Sequence, residues 1–161
     1  MKQYEMRRKN KQVTDPRWME EILERAQTLH LGLAGEDGWP YVVPMGYGYR
    51  EGTIYLHGAP EGRKNDILAE NPRVCFQVAL DVELVRAATG SSYTMKYRSV
   101  TGFGRVQTLS GLDEKNAALK ILMAHYGGPH TDLGENHAKI WVARLDIESM
   151  TGKSSVYPVE E

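Results

Sequence analysis

Alternation between apolar and polar residues recurs along most of this chain, and it is typical of β-strands with one buried face. In residues 74–80 the large apolar side chains occupy every second position, with Cys75, Gln77 and Ala79 between them. Comparable segments bounded by turn residues predict further strands over 31–35, 41–49, 53–58, 95–109 and 139–147. The connections between the first three of these segments are too short for parallel crossovers, so they predict an antiparallel meander.

Three other segments have the signals of short helices. Asp15 and Pro16 are typical of an N-cap and a first helical position, and apolar residues follow them at helical spacing. Two further helices are predicted over Arg63–Glu70 and over 110–127. About six antiparallel strands with three short helices predict a mainly β domain that forms a small barrel.

We predict a single domain over residues 15–153, with an N-terminal tail over 1–14 and a C-terminal tail over 154–161. The longest predicted strand carries Gly102 and Gly104 on one face. Glycine inside a strand indicates a bend or the close approach of another backbone, and a sheet that closes into a barrel needs such bends.

Composition excludes several classes of function. The chain has 161 residues, a formal net charge of −1 and 41% hydrophobic residues, which favours neither nucleic-acid nor membrane binding. No apolar run is long enough to span a membrane, and the basic N-terminal residues are not followed by the apolar segment of a secretory signal, so we expect none. Only one cysteine is present, so we expect no intrachain disulfide and a cytoplasmic location. His125, His130 and His137 match no zinc spacing, so we expect no metal site.

Arg63 and Lys64 open the second predicted helix, directly after Gly62. The N-terminus of a helix has unpaired N–H groups and a partial positive charge, so cations there reduce helix stability unless an anion lies among them. A bound phosphate would explain the arrangement. The alternative is an exposed turn with two solvated basic residues.

Several motifs occur in an order that resembles a known family. They are Pro40-Tyr41-Val42-Val43-Pro44-Met45, Ile54-Tyr55-Leu56-His57-Gly58-Ala59-Pro60-Glu61-Gly62-Arg63-Lys64, Tyr97-Arg98-Ser99-Val100-Thr101-Gly102-Phe103-Gly104 and Met150-Thr151-Gly152-Lys153. Together they resemble the FMN-binding split β-barrel proteins related to pyridoxamine 5'-phosphate oxidase, and within these the nitroimidazole-resistance (Nim-type) branch. The resemblance extends over nearly the whole chain. It implies FMN as the cofactor and a homodimer with the flavin at the subunit interface.

The resemblance also implies which residues form the flavin site. Arg63 and Lys64 would hold the phosphate, and the strand end at His57, Gly58 and Ala59 would touch the flavin. The backbone of Val42, Val43, Pro44 and Met45 would bind the polar edge of the ring, since Pro44 leaves a gap in the hydrogen-bond ladder. Ser99 falls where relatives hydrogen-bond the flavin, and Trp141 falls where relatives bring an aromatic ring, often across the dimer interface.

Two of these residues have alternative interpretations. His57 would be the catalytic residue in contact with the substrate, but a lone histidine can equally be structural. Trp141 can equally be a core residue.

The resemblance implies a flavoprotein that reduces small nitro-aromatic acceptors such as 5-nitroimidazoles. The alternatives are a non-catalytic flavin-binding or stress protein, or a barrel that binds haem or a deazaflavin. Oxidation of vitamin B6 phosphates is disfavoured, because the chain has no Arg and His pair after Lys153.

Overall fold

The computed structural model describes residues 5–135 and 139–155. These residues contain three α-helices, α1 (Pro16–Arg25), α2 (Arg63–Glu70) and α3 (Leu112–His125). The strands are β1 (Gln12–Val13), β2 (Thr28–Ala34), β3 (Pro40–Arg50), β4 (Thr53–Gly58), β5 (Arg73–Val85), β6 (Thr94–Thr108) and β7 (Trp141–Ser155). Short 3-10 turns occupy Lys9–Lys11 and Gly90–Ser92.

The strands form one antiparallel sheet in the order β1-β7-β4-β3-β2-β5-β6, and pairing of β7 with β6 closes it into a barrel. The predicted fold class is therefore confirmed. The six predicted strands form the closed barrel, and β1 adds a short seventh strand beside β7.

The barrel interior follows from the alternation in the sequence. Val74, Phe76 and Val78 of β5 are almost fully buried, and they meet inward side chains of every other long strand. Helix α1 contributes Ile22 and Leu23, both with no exposed surface, to the same core. Each such burial stabilises the fold by about 1.5–3 kcal/mol.

Gly102 and Gly104 occupy the bend that their positions in the sequence predict. A Cβ atom on Gly102 would collide with the Phe76 ring, and one on Gly104 would collide with the Asp146 backbone. The register between β6 and β7 shifts between Phe103 and Gly104. The prediction of a close backbone approach at these glycines is confirmed.

Several predicted boundaries are corrected by the structure. The last strand continues past 147 to Ser155, because its second half pairs with β6 and with β1. Ser154 and Ser155 are buried, so the barrel includes the start of the predicted C-terminal tail. Gln12 and Val13 of the predicted N-terminal tail likewise form β1. Residues 1–4 and 156–161 of the two predicted tails lie outside the described residues.

The predicted helix ends are partly confirmed. Asp15 caps α1 by accepting a hydrogen bond from the backbone N–H of Arg17, and α2 has the predicted bounds. Ser110 does not cap α3, whose N-cap is Gly111 without a side-chain hydrogen bond. None of the helices in the described residues has the length and hydrophobicity needed to cross a lipid bilayer.

Candidate functional site

The barrel is split between β3 and β4. These strands pair only from Tyr47 opposite Leu56 to Arg50 opposite Thr53. Beyond this hairpin, β3 continues to Pro40 along β2, and β4 continues to Gly58 along β7. The two strands therefore separate and leave an open edge on each, which a ligand could approach.

The direction in which each backbone N–H and C=O group of β3 points decides whether a ligand in the split can reach it. The Tyr47 N–H donates to Oη of Tyr126, which itself donates to the Gln27 carbonyl beside β2, so Tyr47 faces β2. Backbone groups alternate in direction along a strand. Those of Val42 and Pro44 therefore face the split, and those of Val43 and Met45 face β2.

The four residues predicted on β3 thus divide into two pairs. Val42 and Pro44 have exposed side chains on the outer surface and free backbone groups at the split. Met45 is buried and Val43 is half-buried, and both pack with the barrel core. Only the first pair could bind the edge of a planar ring.

Helix α2 begins at the mouth of this split. Gly62 is its N-cap with φ 115°, a backbone conformation that glycine tolerates best. The backbone N–H groups of Asn65 and Asp66 donate to the Gly62 carbonyl. The first N–H groups of the helix, at Arg63 and Lys64, point out of the N-terminus, as in any α-helix.

Lys64 leans from this helix end onto Trp141 of β7. Its Nζ lies 3.5 Å from the centroid of the indole ring, and it donates to Oδ1 of Asn65. The Nδ2 of Asn65 donates to the Ala59 carbonyl at 2.9 Å, so Asn65 links the lysine to the loop after β4. Burial lowers the pKa of the Lys64 ammonium below its usual range.

Arg63 leans the other way, toward the β2–β3 turn. Its guanidinium lies 4.8 Å from the centroid of the Tyr41 ring, and its Nη2 lies 3.5 Å from Oδ2 of Asp37. About half of each charged side chain is exposed, so the ion pair adds little stability. The two cations therefore flank the N-terminus of α2 on opposite sides.

Trp141 is a buried wall of the site. Only 7% of the residue is exposed, its Nε1 donates to Oγ1 of Thr108 at 3.1 Å, and its backbone pairs with Gly58. Trp141 belongs to the core and also touches Lys64 of its own chain, and its contact with a flavin stays a prediction.

His57 lies on the outer surface at the end of β4. It pairs with Val142 of β7 and would face Gly46 if the β3–β4 register continued. Its side chain is exposed and makes no hydrogen bond to any described residue. The His57 backbone therefore belongs to the sheet, whereas its side chain borders the split and makes no hydrogen bond within the described residues.

Ser99 is not brought to this site within one chain. It is buried in β6, where it pairs with Ala79 and Lys153. Thr108, the hydrogen-bond partner of Trp141, lies nine residues further along the same strand, a path of up to about 30 Å in an extended strand.

Three residues at the site were not predicted from the sequence. Tyr41 and Asn65 fix the two basic residues, and Thr108 holds the indole. Their roles depend on contacts between distant elements. The one available signal was the position of Asn65 next to Lys64.

No metal centre is found in the described part of the chain, where no three metal-binding side chains lie together. Nε2 of His125 lies within hydrogen-bond distance of the Ala26 carbonyl, and Nε2 of His130 within that of the Asp132 carboxylate. His137 lies outside the described residues.

Comparison with known proteins shows which family has this architecture. The family model of pyridoxamine 5'-phosphate oxidase matches residues 15–154. A proposed 5-nitroimidazole antibiotic resistance protein from Bacteroides thetaiotaomicron is 34% identical, with 88% of this chain and 85% of that chain covered and a TM-score of 0.79.

Two more solved structures extend the comparison. An FAD-binding protein from Mesorhizobium loti is 26% identical, with coverage of 88% and 95% and a TM-score of 0.64. The flavocytochrome Anf3 from Azotobacter vinelandii is 22% identical, with coverage of 98% and 76% and a TM-score of 0.81, and it supports the fold alone. Functionally curated proteins give no significant match. The matched family model and the 34% identical structure together show that the chain belongs to the pyridoxamine 5'-phosphate oxidase family of split barrels.

Proposed function

We propose that this protein is an FMN-dependent reductase of small nitro-aromatic acceptors, of which 5-nitroimidazoles are the type. The observation that carries the proposal is the position of the α2 N-terminus, with Arg63 and Lys64, at the mouth of the split between β3 and β4. The 34% identical protein, proposed to confer 5-nitroimidazole resistance, supports the choice of acceptor.

The residues fit the phosphate of FMN. Lys64 holds its charge against an indole ring, no carboxylate of the described residues forms an ion pair with it, and burial lowers its pKa. A phosphate placed between Lys64 and Arg63 would supply the missing countercharge and would also accept from the helix N–H groups. The open edge at Val42 and Pro44 offers backbone groups to a flat ring on the outer surface.

The bound flavin would supply two-electron chemistry, and the chain would supply position and a proton. A nitro group needs protons as it gains electrons. His57 stands exposed at the split, where a small acceptor could contact it, and an imidazole can donate a proton near neutral pH. We assign it the catalytic role in this proposal. We expect the reaction to occur in the cytoplasm.

We further propose that the protein acts as a homodimer with the flavin between the subunits. A ring on the outer face of β3 is covered on one side only, so a second barrel is needed to enclose it. Exposed apolar residues are available for such contact, among them Val42, Phe103 and Leu84. Ser99, nine residues along β6 from the Thr108 that holds Trp141, could then serve the flavin site of the partner subunit. Sedimentation of the flavin-loaded protein as a monomer would contradict this arrangement.

Reoxidation kinetics test the proposed reaction. The protein is purified with FMN, reduced chemically without oxygen, and mixed with a 5-nitroimidazole or with buffer. We expect the nitro compound to reoxidise the protein much faster than buffer does. Equal reoxidation rates would favour a flavin-binding protein without this activity. If the purified protein shows the absorption spectrum of haem or of a deazaflavin, that molecule and not FMN is the ligand.

A further inference from the structure

Asn65 connects Lys64 to the loop between β4 and α2 through both polar atoms of its side-chain amide. Its Oδ1 accepts a hydrogen bond from Nζ of Lys64 at 2.5 Å, and its Nδ2 donates one to the Ala59 carbonyl at 2.9 Å. The two partners fix the orientation of the amide, because an ammonium only donates and a carbonyl only accepts. A reversed amide would place two donors together at Lys64 and two acceptors together at Ala59.

The contact between Lys64 and Asn65 is not one that an α-helix supplies by itself. Neighbouring residues of a helix project in directions about 100° apart, and side chains three or four positions apart are the ones that meet. In α2 the lysine instead extends over Gly58 toward Trp141. A Cβ atom on Gly58 would lie 3.7 Å from Nζ of Lys64 and 4.0 Å from Cε3 of Trp141. The ammonium is therefore held in one direction, between the indole, the end of β4 and the Asn65 amide.

We propose that Asn65 is a positioning residue for the flavin phosphate, because its amide oxygen holds the Lys64 ammonium where a phosphate at the N-terminus of α2 would meet it. The inference rests on the proposed phosphate site and adds to it a residue that does not itself bind the ligand. A lysine has a flexible stem, and ordering such a side chain when a ligand binds costs free energy. A lysine that Asn65 already orders avoids part of that cost.

The hydrogen bond to Asn65 leaves Lys64 able to bind a phosphate. An ammonium has three donors, and within the described residues Nζ donates one hydrogen bond, to Asn65. A phosphate oxygen can therefore be added at Nζ while the contact with Asn65 is kept. The backbone N–H of Asn65 donates to the Gly62 carbonyl at 2.8 Å, so it is already used within the helix. Asn65 thus acts on the ligand through Lys64.

Two other roles of Asn65 predict different results. If Asn65 were a direct ligand of the phosphate, its removal would weaken FMN binding whether or not Lys64 were present. If Asn65 competed with the phosphate for Lys64, its removal would strengthen FMN binding. A positioning residue weakens FMN binding on removal only while Lys64 is present, because two residues that act through one contact are not additive.

A double-mutant cycle separates these roles. Asn65→Ala, Lys64→Ala and the double variant are titrated with FMN by fluorescence, and alanine is a good helix former, so α2 is kept. We expect Asn65→Ala to bind FMN about two- to ten-fold more weakly than the native protein, the factor for ordering one long side chain. In the Lys64→Ala background, Asn65→Ala should change nothing further.

Asn116→Ala is the matched control. Asn116 likewise joins a helix to a loop through both amide atoms, since its Oδ1 accepts from the Leu133 N–H and its Nδ2 donates to the Leu133 carbonyl. It lies on α3, outside the proposed flavin site, so this variant should bind FMN as the native protein does.

A second measurement needs no flavin. Lys64 of the FMN-free protein is acylated at a fixed alkaline pH, and mass spectrometry of its peptide gives the rate. We expect acylation to be several-fold faster in Asn65→Ala, because the amine is released from Oδ1, and unchanged in Asn116→Ala.

Three results would overturn the inference. They are an equal loss of FMN affinity from Asn65→Ala with and without Lys64, unchanged or tighter FMN binding by Asn65→Ala, and an unchanged rate of Lys64 acylation in that variant. Absence of FMN binding by the native protein would be a different result, since it would contradict the proposed flavin site. The acylation rate would still decide whether Asn65 holds Lys64.

Discussion

The Nζ atom of Lys64 lies 3.5 Å from the centroid of the Trp141 ring, and the two side chains are 77 residues apart in the sequence. The indole is held by Thr108 and the ammonium by Asn65, so both partners are fixed. An aromatic face attracts a cation but does not neutralise it. The site thus keeps a partly desolvated positive charge at the N-terminus of a helix, where an anion would be stabilised.

The first prediction concerns the uptake of protons when FMN binds. Burial lowers the pKa of Lys64 in the free protein, and a phosphate at that position should raise it again. At alkaline pH, below the usual lysine value of about 10.4, FMN binding should therefore be accompanied by proton uptake. Calorimetry in buffers of different ionisation enthalpy measures this uptake. It should vanish in Lys64→Arg, whose guanidinium stays protonated, and its persistence there would assign the proton to another group.

The second prediction concerns affinity for the flavin. Lys64→Ala removes a charge-assisted contact worth about 1.5–3 kcal/mol, so FMN should bind about ten-fold more weakly or worse, and addition of Arg63→Ala should weaken it further. Binding by the native protein should also weaken as salt is added. Fluorescence titration measures both effects, and Lys120→Ala, an exposed lysine on α3, is the matched control. Unchanged affinity in the double variant would place the phosphate elsewhere.

The third prediction concerns the barrel rather than the site. Oη of Tyr47 donates to the Leu23 carbonyl at 2.6 Å, and the residue has no exposed surface. Tyr47→Phe would leave that buried carbonyl unpaired, at a cost of about 1–3 kcal/mol in the free energy of unfolding. Urea unfolding near pH 7 checks this value. Phe103→Leu, at a partly exposed position of β6, should cost less.

The same residue sets a dependence on alkaline pH. Burial raises the pKa of the Tyr47 hydroxyl far above its usual value of 10.0, so the folded protein keeps this proton after the unfolded chain has lost it. Stability from this group is complete below pH 10 and is lost as the pH rises above that value. The slope of unfolding free energy against pH above 10 should be shallower in Tyr47→Phe. An unaltered slope would assign the effect to other tyrosines, of which Tyr49 also has a raised pKa.

The sequence predicted the fold because alternation and turns are local signals. Residues 74–80 indicate an inward and an outward face without knowledge of any partner, and Gly102 and Gly104 mark the bend by the same logic. The end of β7 at Ser155 was not predictable in this way, because that segment is held by β6 and β1. Its residues alternate weakly, and their pairing depends on strands far away in the chain.

The candidate site was predictable only as a set of residues. The chain order identified Arg63, Lys64, His57 and Trp141, but not that Lys64 and Trp141 touch while Arg63 faces Tyr41. These contacts depend on how α2 is oriented over the barrel mouth. The separation of Ser99 from Trp141 is likewise a property of a long strand in three dimensions, and it could not be seen in a linear motif.

The last prediction decides the role of His57. A structural histidine has buried partners, so its removal would cost about 1–3 kcal/mol and would lower the melting temperature. His57 is exposed and has no side-chain hydrogen bond in the described residues, so His57→Ala should leave melting and FMN affinity near native values. The rate at which a 5-nitroimidazole reoxidises the reduced protein should instead fall by about 10²-fold or more, the usual contribution of a positioned acid. Lys120→Ala, an exposed position on α3, serves as the control. Full nitro-reducing activity in His57→Ala would end its catalytic assignment, and a drop in melting temperature without loss of rate would make it structural.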